Sequence, residues 1–322
     1  MKAPKICVLR IEGTNCELET ALAFKRLGAS VEIVHLKQLE RAGAGRVKER
    51  AGRVKERERR SLEDYDLLVI PGGFSAGDYV RAGAILAARL KGALGREIEG
   101  FTESGKPVLG ICNGFQVLVE LGLLPGFEGA TQQQAALTTN DSARFECRPT
   151  LLKHESRGNC VFTRAVERGS VLKMPCAHAE GKFVVAGREG GGRERERERE
   201  REEYLRRLEE NDQIVFRYVD PVGNYAGYPW NPNGSLSNIA GICNPEGNIF
   251  GLMPHPERAF FAFTDSEWTR ARGREGERRG REGERREREG ERKGEKEREG
   301  RKENGDGRLI FESVLQYFLK DF

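Results

Sequence analysis

The chain has no apolar run approaching the ~20 residues that cross a bilayer, so a membrane-spanning protein is not expected. Its start, MKAPKICVLR, has no signal-peptide apolar region and reads as a strand, so export is not expected either. The seven cysteines form no CxxC pair and no zinc spacing, and their number is odd. A disulfide scaffold and a structural metal are therefore not expected, and free thiols in a reducing cytoplasm are. No proline- or serine-rich linker divides the chain, so residues 1–322 are expected to form one domain.

Charge is plentiful but unevenly placed. A third of the residues are charged, with a formal net charge of +4 and mean hydropathy of −0.63. Residues 187–203 contain only Gly, Arg and Glu; residues 272–303 contain only Arg, Gly, Glu and Lys. Residues 45–60 carry the repeat GRVKER twice. These three tracts hold a net charge of about +7, which leaves a mildly acidic body of about −3. An Arg-Glu alternation places like charges at i,i+4 and buries no apolar area, so disorder is the default expectation. Gly, Arg, Glu and Lys are the residues purine-only codons specify, so expansion of a polypurine repeat accounts for the tracts. A nucleic-acid-binding arm is the rival reading. It is disfavoured because acidic residues nearly balance the basic ones and aromatics for base stacking are absent.

The remaining body alternates strand and helix. KICVLR (5–10), VEIVHL (31–36), DLLVIPGG (66–73) and KPVLGI (106–111) read as buried strands. Helical spacing follows at 17–29, 84–94 and 114–124, and an amphipathic helix closes the chain at 308–322. The second half is richer in strands: RFECRP, NCVFT, KFVV, QIVFRYV, NIAGIC and IFGLMP. Repeated β-α-β units imply an α/β fold, an open and mostly parallel sheet flanked by helices.

Chemistry concentrates in Gly110-Ile-Cys112-Asn-Gly114, where a strand runs into a helix. This is the thiol form of a nucleophile elbow. Flanking glycines leave space in a tight turn, and a helix N-terminus stabilises a thiolate at Cys112. The Asn113 amide would face a developing oxyanion. A buried structural cysteine is the plainer reading of a lone Cys. It is disfavoured here by the two glycines and by His255-Pro256-Glu257 after a later strand. His255 can exchange a proton with Cys112, and Glu257 can hold the imidazole in its working tautomer. Pro71-Gly72-Gly73-Phe74-Ser75 ends another strand, and the Gly73 amide could supply a second oxyanion donor. Of the other histidines, His35 reads as structural and His154 as solvated in a polar loop. His178 is placed to line the site.

These segments resemble triad (class I) glutamine amidotransferases, whose fold is flavodoxin-like. GICNGFQ, PGGFSAGDYVRAGAI, LTTNDSARFECR (137–148), AHAEGKF (177–183) and NPNGSLSNIAGICNPEGNIFGLMPHPERA (231–259) resemble one branch, the glutaminase subunits of phosphoribosylformylglycinamidine synthases. The resemblance implies hydrolysis of glutamine to glutamate and ammonia through a Cys112 thioester, with His255 and Glu257 completing the triad. It implies Gly73 and Asn113 as oxyanion donors, and Gln116, Ser142 and Phe145 as contacts for glutamine. It implies no cofactor or metal in this subunit. The partners would be a synthetase large subunit, which uses ATP and Mg, and a small accessory subunit. An amidotransferase serving another synthetase, a cysteine hydrolase of the same fold class, and a non-enzymatic RNA-associated protein remain the alternatives. Two departures stand out: Ala179 replaces the glycine of the family's AHGEG, and Ile11 precedes Glu12-Gly13 where many relatives carry proline.

Overall fold

The apolar runs pair as strands because each hides its backbone polar groups in a ladder while both faces meet helices. The computed structural model describes residues 3–43, 60–127, 132–185, 194–269 and 303–320. Residues 44–59, 186–193 and 270–302 lie outside the described residues, and with them nearly all of the tracts 45–60 and 272–303 and the first part of 187–203.

The parallel half of the sheet contains β1 (Lys5–Arg10), β2 (Ser30–His35), β3 (Leu67–Ile70), β4 (Val108–Ile111) and, from late in the chain, β11 (Ile249–Leu252). The order is β2-β1-β3-β4-β11, with every neighbouring pair parallel. Helix α1 (Glu17–Arg26) links β1 to β2, followed by α2 (Leu36–Gly43). Helix α3 (Ala84–Glu103) links β3 to β4, and α4 (Asn113–Glu120) follows β4. The chain steps outward in opposite directions from β1 and from β3. Right-handed crossovers therefore put α1 and α3 on opposite faces. The closing helix α6 (Arg308–Lys320) packs beside α1, with Phe311 edge-on to Phe24 at 4.9 Å between ring centres.

Four antiparallel strands extend the sheet beyond β11: β10 (Ile239–Cys243), β9 (Ile214–Val219), β6 (Glu146–His154) and β7 (Val171–His178). Strands β5 (Ala135–Thr138) and β8 (Lys182–Val185) make a separate antiparallel pair. The helix-flanked open sheet is the one the β-α-β repeats imply, with a larger antiparallel wing. Pro175 interrupts the VLKMPCAH run and hides β7 in the sequence; the strand is tolerated because it lies at the sheet edge. NCVFT (159–163) is not a strand. Cys160, Val161 and Phe162 are buried in a turn instead, because a short apolar run reports burial rather than extension.

One charged tract departs from its expected disorder. Residues 194–203 form the first part of α5 (Glu194–Glu210). The downstream half supplies the reason. Leu208 is fully buried, Tyr204 stacks edge-on to Phe127 at 5.0 Å, and its hydroxyl donates to the Gln134 carbonyl. An anchored helix extends upstream at one hydrogen bond per residue, without a new nucleation cost. Arg206 pairs with Glu203 and Glu210 at 2.6 Å each along the exposed face.

Candidate active site

The site lies at the C-terminal ends of β1, β3, β4 and β11. There the strand order reverses and opens a crevice in the sheet. At the end of β4 the backbone turns at Cys112, with φ 50° and ψ −104°, into α4. This is a strained conformation for a residue with a Cβ, and such strain costs ~1–3 kcal/mol. It persists because close packing on both sides fixes it. A Cβ on Gly114 would stand 1.8 Å from the Ile70 carbonyl oxygen, and one on Gly110 would stand 2.6 Å from the Gly114 carbonyl oxygen. The two glycines thus let β4 and α4 lie against β3. Gly114→Ala is expected to destabilise the chain by about 3 kcal/mol or more, read as a lowered denaturant midpoint.

The Cys112 amide donates to the Leu252 carbonyl at 2.8 Å, which ties the elbow to β11, and its thiol donates to the Ala177 carbonyl at 3.6 Å. His255 follows β11, its own amide held by the Pro175 carbonyl at 2.8 Å. Its Nδ1 lies 2.6 Å from Glu257 Oε1, and both side chains are almost fully buried. Nε2 is shielded from solvent without a conventional hydrogen bond, and the Cys112 thiol is close enough to act on the ring. Burial alone would weaken the imidazole as a base. The carboxylate of Glu257 and the sulfurs of Cys112 and Cys16 outweigh it and hold His255 well above its ordinary pKa. Together these groups can take a thiol proton, stabilise an imidazolium and return the proton to a leaving amine.

The turn after β3 is fastened from both sides. Gly73 has φ +143° and bridges Thr14. The Phe74 amide donates to Gly13 and the Ala76 amide to Glu12, each at 2.8 Å, while the Asn15 and Cys16 amides donate to Gly72. The Gly73 N–H makes no hydrogen bond among the described residues. Asn113 is the first helical residue, so its N–H has no acceptor within α4. The Asn113 side chain joins the two: its Oδ1 accepts from Ser75 N–H at 3.2 Å, and its Nδ2 donates to Gln116 Oε1 at 2.9 Å and to Asp78 Oδ1 at 3.3 Å.

Gln116, expected to contact substrate, spends both ends of its amide inside this network. Its Oε1 accepts from Asn113 and its Nε2 donates to the Glu180 carbonyl. Phe145 is half exposed and tilted against Phe74 at 6.2 Å, beside the Gly73 turn. Ser142 lies in the same loop, its hydroxyl shielded and without a hydrogen bond. His154 is not solvated: it ends β6 buried, with Nδ1 3.3 Å from the Glu167 carbonyl. Ala179 adopts none of the positive-φ conformations of the chain, so the missing glycine leaves no strain.

Two neighbours, Cys16 and Arg258, carry no signal in the sequence. Cys16 is fully buried, 3.9 Å from His255 Nδ1, and accepts from Arg258 Nη2 at 3.1 Å. Cys16, His255 and Glu257 offer ligand atoms within 4.8 Å of one another, and the Arg258 guanidinium lies beside Cys16 and Glu257. No local pattern announces this contact; only the shared sheet edge does.

Asp78, in the Gly73 turn, is pushed up to about 6 by burial and then by the Glu180 charge, against hydrogen bonds from Gly83 and Asn113. The folded state therefore keeps this proton to higher pH than the unfolded chain. Its stabilisation is present below the ordinary carboxylate pKa and is lost as pH rises through 6. An asparagine at this position would mimic the neutral acid. Asp78→Asn is expected to raise stability at about pH 8 by about 1 kcal/mol, discounted for partial exposure, and to change little at about pH 4, measured by urea unfolding.

A strained cysteine elbow, a buried His-carboxylate pair and two free amides at the carboxyl end of an open sheet define a class of thiol enzyme that attacks carbonyl carbon through a triad. Residues 3–283 match the CobB/CobQ-like glutamine amidotransferase domain. The phosphoribosylformylglycinamidine synthase subunit PurQ of Archaeoglobus fulgidus is 49% identical over 98% of this chain and 97% of its own. The subunit of the same name from Picrophilus torridus is 45% identical over 82% of this chain and 90% of its own. The solved structure of PurLQS from Thermotoga maritima superposes over 98% of this chain and 100% of that one, with a TM-score of 0.61 and 28% identity. The chain belongs to the PurQ family of glutamine amidotransferases.

Proposed function

We infer that this chain is the glutaminase subunit of phosphoribosylformylglycinamidine synthase, hydrolysing glutamine and passing ammonia to a synthetase subunit. The observation that carries the chemistry is the strained Cys112 elbow facing the buried His255–Glu257 pair. The Cys112 thiolate attacks the glutamine carboxamide, and the Gly73 and Asn113 amides stabilise the tetrahedral oxyanion. His255, held by Glu257, gives its proton to the departing ammonia and leaves a Cys112 thioester. It then draws a proton from water, which releases glutamate.

The ammonia goes to the synthetase large subunit, which spends ATP with Mg²⁺ to convert formylglycinamide ribonucleotide to the amidine in purine synthesis. This subunit itself needs no cofactor. A small accessory subunit completes the assembly. Phe74, Tyr79 and Val80 are exposed on the turn that carries Gly73, which gives a partner direct access to the oxyanion donors. A cytoplasmic location fits the reaction and the seven free cysteines. Among the described residues no helix is long and apolar enough to cross a membrane.

The test is reconstitution with the synthetase and accessory subunits, formylglycinamide ribonucleotide, ATP and Mg²⁺. Glutamine-dependent amidine formation should require this chain, and ammonium chloride should replace it. Turnover with glutamine that is no faster with the chain than without it would overturn the assignment.

A further inference from the structure

The two oxyanion donors sit on separate segments, Gly73 in the turn after β3 and Asn113 at the start of α4. No backbone hydrogen bond joins residues 72–80 to residues 112–116 among the described residues. The turn is also poorly suited to keep its own shape. Ala76 and Asp78 adopt φ of 53° and 51°, which residues with a Cβ disfavour, and Phe74, Tyr79 and Val80 are exposed. Gly72 and Gly73 leave the backbone free to rotate exactly where the donor amide must be aimed. The bonds to Glu12 and Gly13 tie the turn to the loop after β1, not to the elbow.

The Asn113 side chain supplies the missing tie. It is 2% exposed and shares a helix face with Gln116, three residues on. Its partners allow one orientation. The Ser75 amide can only donate, so Oδ1 faces it at 3.2 Å, and Nδ2 faces the Asp78 carboxylate at 3.3 Å. Gln116 enforces the same choice: its Nε2 is taken by the Glu180 carbonyl, which leaves Oε1 to accept from Asn113 Nδ2. Ser75 is buried with its hydroxyl unpaired, so its amide is what ties it to the elbow. The Glu180 carboxylate accepts from Ala82 N–H at 3.0 Å and closes the network on the far end of the turn.

We propose that the Asn113 side chain is a positioning residue for the oxyanion site: through Ser75 it straps the Gly73 turn to the elbow and so fixes the Gly73 amide relative to its own. Asp78 and Gln116 lock the strap in its working orientation. Without it, a buried Ser75 amide loses its acceptor and the glycine pair is free to turn the Gly73 N–H away. This role rests on the glutaminase reading.

The test uses the reconstituted complex with wild type, Asn113→Ala, Asn113→Asp and the double variant Asn113→Asp with Asp78→Asn. Alanine keeps the backbone N–H, so it removes the strap alone. Asn113→Ala should lower kcat for glutamine hydrolysis about 10²-fold with KM within about threefold. Alkylation of Cys112 by iodoacetamide, followed by the mass of its peptide, displaces iodide at a saturated carbon and builds no oxyanion. Its rate should therefore stay within about twofold of wild type, which also reports an intact elbow. Asn113→Asp at alkaline pH sets a carboxylate against Asp78 and Gln116 Oε1 and should lose at least about tenfold in kcat. The double variant exchanges donor and acceptor between the two positions and should recover much of that loss. If Asn113→Ala does not fold, the comparison of the double variant with Asn113→Asp decides. An unchanged kcat in Asn113→Ala, alkylation that falls in step with kcat, or a double variant no faster than Asn113→Asp overturns the strap. Failure of the wild type to release glutamate overturns the glutaminase reading itself and is seen in a separate arm.

Discussion

Cys112→Ala is expected to lower glutamine hydrolysis by about 10⁴-fold or more while the protein folds and assembles. Alanine keeps the Cβ, so the strained turn at φ 50° is neither relieved nor worsened. The flanking contacts of Gly110 and Gly114 are untouched. What disappears is the atom proposed to form the thioester; Cys16 is not placed to replace it, because it faces Arg258 and the Nδ1 edge of His255. Glutamate release, measured in the reconstituted complex, should fall to background, whereas amidine formation from ammonium chloride should continue at the wild-type rate. Retention of more than a tenth of the glutamine-dependent rate would remove Cys112 from the nucleophile role. Cys112→Gly makes the complementary point: it should abolish the same activity yet stabilise the fold by about 1 kcal/mol, because glycine accepts positive φ without strain.

The parts of the site legible in the sequence are those that short-range sterics write locally. Gly110 and Gly114 are needed two residues either side of Cys112, because the strand, the turn and the helix meet there at carbonyl contact. His255 and Glu257 are two residues apart, and their 2.6 Å contact is made within one turn of chain. The parallel core is legible because β3 and β4 are buried on both faces and read as continuous apolar runs.

What stays hidden depends on strands far apart in sequence. Cys16 meets His255 across 239 residues, and Arg148 and His178 share a face only through the β6–β7 register. Gln116 shows the converse, since its helical position suits substrate contact while Glu180, 64 residues on, engages it. The charged tract that starts α5 misleads for a related reason. Its own side chains argue against a helix, and the anchors that stabilise it, Tyr204 and Leu208, lie just beyond it.

Glu257→Gln is expected to cost about 10³- to 10⁴-fold in glutamine hydrolysis with little change in global structure. The carboxylate accepts from His255 Nδ1–H at 2.6 Å and so turns Nε2 toward the thiol as the atom that takes and returns the proton. Glutamine can offer Nδ1 an N–H instead, which stabilises the opposite tautomer and puts a proton where the thiol proton must go. The variant also removes the negative charge that, against burial, helps keep His255 protonated above its ordinary range. The imidazolium then persists to a lower pH limit, and the alkaline limb of the pH–rate profile should move toward neutrality. Glu257 is fully buried and Arg258 Nε stands 3.9 Å from Oε1, so water does not substitute for the lost charge. A merely structural role would lower the rate by reducing the folded fraction and leave the profile in place. The shift of the alkaline limb, measured on the folded complex, therefore separates an electrostatic role of Glu257 from simple packing.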